Sequence, residues 1–203
     1  TSAAIGFPYQ LAVDAADNLY IADYGNHSIR KVDIATGIIS MYAGNRQAAY
    51  GGDGGQSTNA AVHGPLGIAF DNSGNLYIAQ TDSDVIRKVD TNGIISTLAG
   101  SGEAGYSEGQ GSSAQFDNPS TLAVDSKGNV YVTDTSNNRI RKITSSGLVS
   151  TVAGNGTRGI PTADSVAFKN QIGDEIIPAG QIPYHMIYSD YQTFGTTTCE
   201  TGI

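Results

Sequence analysis

The stretch YIADYGNHSIRKVD, at residues 20–33, decides the fold because the chain contains three versions of it. Close copies follow as YIAQTDSDVIRKVD at 77–90 and YVTDTSNNRIRKIT at 131–144. The copies begin 57 and 54 residues apart. Repetition at a nearly constant period is typical of one supersecondary unit stacked on itself. The sequence therefore predicts a repeat protein.

Each copy belongs to a longer unit of four short apolar segments separated by turns. The first segments follow a proline and end in aspartate, as LAVD at 11–14, IAFD at 68–71 and LAVD at 122–125. The turns after them contain Asn, Asp and Gly, which tolerate the left-handed backbone of a tight hairpin. Each unit is therefore predicted to be a four-stranded antiparallel meander. Segments that are apolar on both faces favour sheets covered on both sides, as the blades of a propeller are.

The repeat predicts how the chain is divided. Residues 1–159 are expected to hold three blades, at about 4–44, 62–100 and 115–154, and residues 160–203 form a divergent C-terminal segment. Glycine-rich connectors lie between the blades at 45–61 and 101–114. Because these connectors are longer than ordinary turns, we expect them to be functional or locally structured.

The motif order carries a family resemblance. The phrase P-x-x-[LI]-A-[VF]-D, then [LV]-Y-[IV]-[AT]-[DQ], N-x-x-[IV]-R-[KQ]-[VI] and [ST]-x-[YLV]-A-G, resembles the NHL repeat over about residues 4–159. The connector with GGDGG resembles those of bacterial NHL proteins. The resemblance implies an all-β fold, a β-propeller of NHL type. Copy two departs from the pattern at Gln80, where the family prefers Asp, and at Asp82-Ser83-Asp84, which puts the usual hydrogen bonding of that loop in doubt.

Adjacent basic residues recur in the third segment of each unit. We expect them to be structural, with aliphatic stems covering neighbouring blades and charges reaching water near the outer rim. The pairs are Arg30-Lys31, Arg87-Lys88 and Arg141-Lys142.

Three blades raise the question of closure, since NHL-type rings commonly have six blades and four is a practical minimum. An open arc leaves an apolar blade face bare at each end, so the ends must be covered. An irregular fourth blade from residues 160–203, other copies of the chain, and a longer parent protein all remain open. We expect the C-terminal segment to pack on the blades and also to contact a partner or another copy. Its candidate assembly residues are Phe168, Tyr184, Tyr188, Tyr191, Phe194 and Cys199.

Composition excludes several classes of protein. With 11 basic and 19 acidic side chains the net charge is −8, which argues against a nucleic-acid partner. The apolar runs are too short for membrane insertion. The opening residues TSAAIGFPYQ lack the basic stretch and apolar core of a signal peptide, and Cys199 has no second cysteine for an internal disulfide. We expect an exported or cell-surface protein of a bacterium or similar microbe.

The alternation of strand direction predicts one loop-rich face. The second-to-third loops and the long connectors should share it, and loops on rigid sheets are the usual place for recognition. The candidate binding residues are Tyr24, Asn26, His27, Asp53, His63, Asp82, Asp84, Glu103, Tyr106, Glu108, Asn137, Asn138 and Arg139.

Motifs for catalysis are weak. No G-x-S-x-G occurs, and the recurring Asp14, Asp71 and Asp125 are best explained as caps of the hairpin turns. Zinc held by His27, His63 and His185, and calcium held by Asp53, Asp82 and Asp84, remain alternatives. No catalytic residue, cofactor or metal site is predicted.

These observations favour a non-catalytic propeller scaffold that binds a protein or a glycan through its loop-rich face. A structural subunit of a homo-oligomeric or filamentous extracellular assembly is the first alternative, and self-association is expected. A metal-dependent lyase or hydrolase is the second.

Overall fold

The computed structural model describes residues 3–159, which form three large antiparallel sheets in succession and a small two-stranded sheet. The predicted assembly residues and one candidate zinc ligand lie outside the described residues: Phe168, Tyr184, His185, Tyr188, Tyr191, Phe194 and Cys199. Within residues 3–159 no helix has the length and apolar character needed to cross a bilayer.

Each sheet, or blade, contains four strands joined in sequence order. Blade 1 consists of β1 (Pro8–Val13), β2 (Leu19–Asp23), β3 (Ser28–Val32) and β4 (Ile39–Ala43). The first connector holds β5 (Tyr50–Gly51) and β6 (Ala61–Val62), which pair with each other. Blade 2 consists of β7 (Pro65–Phe70), β8 (Leu76–Gln80), β9 (Val85–Val89) and β10 (Ile95–Ala99).

The third sheet has a fifth strand that comes from its connector. That strand is β11 (Gly109–Gln110), and it precedes β12 (Pro119–Val124), β13 (Val130–Asp134), β14 (Arg139–Ile143) and β15 (Leu148–Ala153). Single turns of 3-10 helix occupy Tyr24–Asn26, Ser57–Asn59, Thr81–Ser83 and Gly111–Ser113. The predicted four-stranded meanders are confirmed in all three copies.

The blades stand side by side around an axis. β1 contacts β7, and β7 contacts β12, so the first strand of each blade lies innermost. The fourth strand of each meander therefore lies toward the outside, with the third strand next to it. This is the β-propeller that the sequence predicts.

Two equivalent apolar cores join the blades. One face of blade 1, with Tyr20, Ala22, Ile29 and Ala43, packs against Ile68, Leu76, Ile78, Val89 and Ile95 of blade 2. The matching face of blade 2, with Tyr77, Ala79, Ile86 and Ala99, packs against Leu122, Val130, Val132, Ile143 and Val149 of blade 3. Connector residues Ala60 and Val62, or Ala114 and Phe116, complete each core. The sequence repeat therefore produces equivalent interfaces between neighbouring blades, as well as equivalent strands within each blade.

The hairpin turn after the first strand is built by the recurring aspartate. Asp71 accepts hydrogen bonds from the backbone N–H groups of Ser73 and Asn75, from the Asn75 amide and from the Tyr77 hydroxyl, at 2.7 to 3.1 Å. Blades 1 and 3 repeat this set at Asp14 and Asp125. The interpretation of these aspartates as turn caps is confirmed.

These hydrogen bonds change how the turn titrates. Burial alone would raise the pKa of the Asp71 carboxyl, but the bonds from Asn75, Tyr77 and Ser73 outweigh it and hold that pKa below its ordinary value. Burial, followed by the charge and hydrogen bond of Asp71, raises the pKa of Tyr77 to about 12. The turn is therefore most stable with an ionised carboxylate and a protonated phenol.

The expectation that the paired basic residues send both charges to water is wrong for the arginines. Arg30, Arg87 and Arg141 are only 7%, 0% and 0% exposed. The reason is that each guanidinium is hydrogen bonded to a carbonyl of the segment preceding its own blade: Ala4, Ala61 and Gln115. The neighbouring lysines remain partly exposed, over the rings of Tyr20, Tyr77 and Tyr131.

Candidate functional site

The connectors do not lie wholly on the predicted loop-rich face. The Gly54 N–H donates to the Ile95 carbonyl and the Ser57 N–H to the Gly93 carbonyl, so the first connector runs along the outer strand of blade 2. In blade 3, β11 pairs with β15 in the same way. The middle of each connector thus lies along the outer edge of the blade that follows it. Its hydrogen bonds occupy backbone groups of the outer strand that would otherwise be unpaired.

Two side chains in each connector fasten it to that strand. The Tyr50 hydroxyl lies 2.8 Å from the hydroxyl of Thr97, whose N–H donates to Asp53 at 3.0 Å. In blade 3 the equivalent contacts are Tyr106 to Thr151 at 3.1 Å, and the Thr151 N–H to Glu108 at 2.8 Å. The Thr151 N–H, opposed by partial burial, lowers the pKa of Glu108. Of the predicted binding residues, Asp53, Tyr106 and Glu108 therefore contact their own blades.

Copy two has Gln80 where the family prefers aspartate, and Asp53 of the connector supplies the missing carboxylate. In blade 3 the buried Arg141 forms an ion pair with Asp134 at 2.8 Å. In blade 2 the corresponding position is Gln80, and Arg87 pairs with Asp53 from the connector instead. The carboxylate that balances the buried arginine has moved from the strand to the connector. The Gln80 amide nitrogen is buried without a hydrogen-bond partner among the described residues.

A group of predicted site residues does meet, where the loops of blades 1 and 2 adjoin. The Tyr24 hydroxyl donates to Asp82 at 3.2 Å, and His63 Nε2 lies 3.6 Å from the same carboxylate. The rings of His27 and His63 are 5.1 Å apart, edge to face. Tyr9, which the sequence analysis did not select, packs edge to face on Tyr24 at 5.3 Å. We call these five residues the junction surface: Tyr9, Tyr24, His27, His63 and Asp82.

Backbone geometry fixes the junction surface. His27 adopts a left-handed conformation at the end of its 3-10 turn, and its Nδ1 accepts the Gly64 N–H at 3.3 Å. A side chain at position 64 would meet the Asp82 carboxylate, because a Cβ there would lie 2.2 Å from Oδ2. Glycine at 64 therefore lets Asp82 reach across between the blades. Burial, together with the hydrogen bond and charge of Asp82, raises the pKa of Tyr24.

The junction surface is poorly arranged for a metal. His27 Nδ1 accepts a hydrogen bond, which leaves the proton on Nε2, whereas a metal-binding histidine donates its second ring N–H to a neighbour. Within residues 3–159 no three His, Cys, Asp or Glu side chains are placed to hold an ion. Asp53 forms an ion pair with Arg87, so it does not join Asp82 and Asp84 in the calcium site that the sequence left as an alternative.

Asp84 forms the matching link between blades 2 and 3. Its carboxylate accepts the Asn118 N–H at 2.8 Å, just as His27 accepts the N–H of Gly64 in the preceding junction. Burial raises the pKa of Asp84, the Asn118 bond opposes this, and the charges of Asp117, Asp134 and Asp82 add to the rise.

The remaining predicted site residues serve their own loops. Asn26 and Asn137 donate to Asp23 and Asp134, and Arg139 stacks on Tyr106 at 3.9 Å. The Asn138 amide donates to the Ser136 carbonyl, and Glu103 is exposed in its connector. Their role in binding stays a prediction.

Sequence reasoning overlooked the residue that precedes each inner-strand proline. Phe7, Gly64 and Asn118 all have positive φ, of 51°, 57° and 53°. Phe7 is 77% exposed beside the 59% exposed Tyr9. The signal was available, since Gly and Asn at the two equivalent positions mark a left-handed backbone.

Comparison with known families agrees with the repeat. The teneurin NHL domain matches residues 45–110, and the NHL repeat matches residues 116–143. Teneurin-3 of Danio rerio is 35% identical over 171 residues, 72% of this chain but 6% of its own length. The protein SUPPRESSOR OF QUENCHING 1, chloroplastic, of Arabidopsis thaliana is 34% identical over 132 residues, 61% of this chain and 12% of its own length. The chain thus spans a small part of these relatives.

Solved structures share the fold. An auxiliary nutrient binding protein from Bacteroides thetaiotaomicron VPI-5482 superposes with a TM-score of 0.55 at 21% identity, over 71% of this chain and 36% of that one. A chain of a nidogen/laminin complex gives 0.54 at 19% identity, over 73% of this chain and 48% of that one. Together with the matched repeats and the three blades, these likenesses lead to one conclusion: the chain belongs to the NHL-repeat family of β-propellers.

Proposed function

We propose that this chain is an interaction module that binds a protein or glycan ligand through the junction surface. The observation that supports this proposal most strongly is that Tyr24, His63 and Asp82, from three separate loops on two blades, lie together. Tyr24 donates a hydrogen bond to Asp82, and His63 Nε2 lies 3.6 Å from the same carboxylate. Such placement reduces the entropy that a loop loses when it binds.

The side chains of the junction surface suit a ligand that has both polar and apolar groups. Tyr9 offers an exposed ring, while Tyr24, His27, His63 and Asp82 offer donors and acceptors within a short distance. Tyrosine provides large contact area at a low entropic cost, and protein interfaces are enriched in it. At the level of the fold, the nutrient-binding and nidogen/laminin neighbours support a binding role.

The proposed location is extracellular or at the cell surface of a bacterium. The nutrient-binding neighbour from Bacteroides supports it, whereas the chloroplastic relative shows that similar repeats also occur in an organelle.

The test is a binding screen against a glycan microarray and a displayed peptide library, with the hits remeasured on variants. We expect Tyr9→Ala and Asp82→Ala each to weaken binding by about tenfold or more, as for residues central to an interface. Glu103→Ala, an exposed carboxylate outside the junction surface, is the matched control. Hits that survive both junction variants but are lost on Asn138→Ala would place the binding site elsewhere and overturn the proposal.

A second candidate function, a subunit of a homo-oligomeric assembly, rests on a different observation. Leu11 is 54% exposed, although the residues at the same repeat position, Ile68 and Leu122, are 1% and 5% exposed because a preceding blade covers them. The proposed occupant of the Leu11 face is a second copy of the chain.

Mass measurement in solution separates this candidate from the first. Self-association that is lost on Leu11→Asp but kept on Tyr9→Ala supports the assembly. A monomer at every concentration tested contradicts it and leaves the binding proposal intact.

A further inference from the structure

A small cleft lies between blades 2 and 3, at the opposite end of the strands from the junction surface. The cavity has a volume of about 270 Å³ and is formed by the first hairpin turns of the two blades. This is slightly below the ~300–1,000 Å³ usual for ligand pockets, so it suits a small ligand or one group of a larger one. The polar residues that line it, apart from the turn caps, are Asn72, Ser73, Lys88, Ser126, Lys127 and Ser145.

The turns themselves do not require these polar side chains. Blade 1 makes the same aspartate-capped turn with Ala15 and Ala16, the Ala16 N–H donating to Asp14 at 2.9 Å. In blade 3 these two positions are Ser126 and Lys127, and the Lys127 N–H donates to Asp125 at 3.0 Å. The geometry of the turn therefore does not determine these side chains. In blades 2 and 3 the same two positions carry hydrogen-bonding side chains that line the cleft.

The cleft presents mainly donors. The Asp71 carboxylate already accepts four hydrogen bonds from its own turn. Among residues 3–159, the Lys127 ammonium has no hydrogen bond or ion pair, and Lys88 lies over the Tyr77 ring at 5.8 Å. The cleft is thus lined by two lysines and by one carboxylate whose acceptor sites are occupied. The pKa of Asp90 is lowered by the hydrogen bond from the Ile94 N–H, and the charge of Lys88 beside it also helps to lower it. An acceptor-rich, negatively charged group is the complement of this arrangement.

The junction of blades 1 and 2 lacks this arrangement. There the lysine of the third strand, Lys31, lies 3.9 Å from the Asp14 carboxylate, and Ser73 stands at the position of Lys127. The excess of free donors is therefore a property of one interface and not of the repeat.

We propose that the cleft between blades 2 and 3 binds one anionic group, a sulfate, phosphate or carboxylate, carried on a small hydroxylated molecule. Lys127 and Lys88 supply the charge, and the hydroxyls of Ser73, Ser126 and Ser145 donate to the anion or to neighbouring hydroxyl groups. The site is independent of the junction surface.

The test is an NMR titration of the full chain at low ionic strength, where screening of charges is weak. The probes are inorganic sulfate, inorganic phosphate, and three disaccharides of equal size that are sulfated, carboxylated or neutral. We expect saturable shifts of the Ser73, Ser126 and Lys127 amides with an anionic probe and none with the neutral one. Comparison of inorganic and saccharide-linked anions then identifies the source of the group.

Two variants test the residues. Lys127→Ala introduces the residue that blade 1 has in the same turn, so the fold should persist while anion affinity falls by about tenfold or more. Lys88→Ala should weaken binding, whereas Lys142→Ala, which removes an equivalent contact at 5.8 Å to Tyr131, should not. Equal shifts with the neutral disaccharide, no saturable shift with any anion at tens of millimolar, or unchanged affinity in Lys127→Ala would each overturn the proposal.

Discussion

At the scale of single residues, the molecule repeats a few hydrogen-bonding devices and varies them by position. The capped turn is identical in three blades, so Asp14, Asp71 and Asp125 were identifiable from the sequence by their place before an Asn-containing turn. The buried arginines were not, because an Arg-Lys pair on a strand has the same pattern whether its charge reaches water or a carbonyl. The carbonyl partner is 26 residues away, and only the folded chain brings it close.

The turn carboxylates predict how stability depends on pH. The folded-state pKa values of Asp14, Asp71 and Asp125 lie below the ordinary 3.8. Their stabilisation is therefore fully present above that value and is lost as pH falls through the lower folded values. Asp84, with a raised pKa, acts in the opposite direction. We expect the unfolding midpoint in urea to fall below pH about 4.

Asp71→Asn tests the source of this dependence. The variant should lose about 1–2 kcal/mol at neutral pH and show a shallower decline in acid. Asp17→Asn, in the turn of blade 1 but outside the hydrogen-bonding set, is the control. Equal acid sensitivity in the wild type and Asp71→Asn would show that the turn carboxylate does not contribute.

Phe7 carries a left-handed backbone that costs an L-residue roughly 1–2 kcal/mol. Phe7→Asn, which introduces the residue found at position 118, should therefore stabilise the chain by about 1 kcal/mol and raise the melting temperature by about 2–4 °C. Phe7→Ala removes the ring but keeps the backbone cost, so it should give no such gain. Calorimetry checks both; equal effects would contradict the strain argument.

At the scale of elements, strand order and turn position were predictable because short apolar segments and Asn/Gly turns are local signals. The course of the connectors was not, since GGDGG and SEGQG show turning but not which strand they follow. Of the predicted site residues, Tyr24, His63 and Asp82 lie together, and their role in binding stays a prediction. The sequence did not indicate that Asp53, Tyr106 and Glu108 contact their own outer strands, because a carboxylate in a glycine-rich loop has the same local pattern whether it makes a structural contact or faces solvent.

The relocated carboxylate of blade 2 gives a prediction at this scale. Asp53→Ala leaves the buried Arg87 without an ionised partner and should cost about 2 kcal/mol of stability. Adding Gln80→Asp, which introduces the aspartate of blades 1 and 3, should restore much of that loss. Glu103→Ala controls for removing a connector carboxylate. Urea unfolding of the four proteins checks the prediction, and a double variant no more stable than Asp53→Ala would contradict it.

At the scale of the whole molecule, stability comes from interfaces between blades. Each core is built from two blades and the connector between them, so no single blade encloses its own apolar surface. The Leu11 face shows the same surface without its cover. Such arrays unfold cooperatively when nearest-neighbour contacts are strong.

Phe116 tests this dependence on the interfaces. It is 0% exposed between blades 2 and 3, and Phe116→Ala should cost about 3–5 kcal/mol by opening a cavity. Leu148→Ala, in β15 of blade 3 and at a position that is 48% exposed, should cost less than about 1 kcal/mol. Thermal unfolding distinguishes them, and similar losses would mean that the interface is not the source of stability.

Amide hydrogen exchange tests most directly the structural claim on which the proposed binding role of the junction surface depends: the connectors are hydrogen-bonded parts of the blades. The account predicts that the amides of Gly54, Ser57 and Gly111, which donate to Ile95, Gly93 and Gly147, exchange nearly as slowly as those of β10 and β15. Exchange of these three amides at the rate of an unstructured peptide would contradict it.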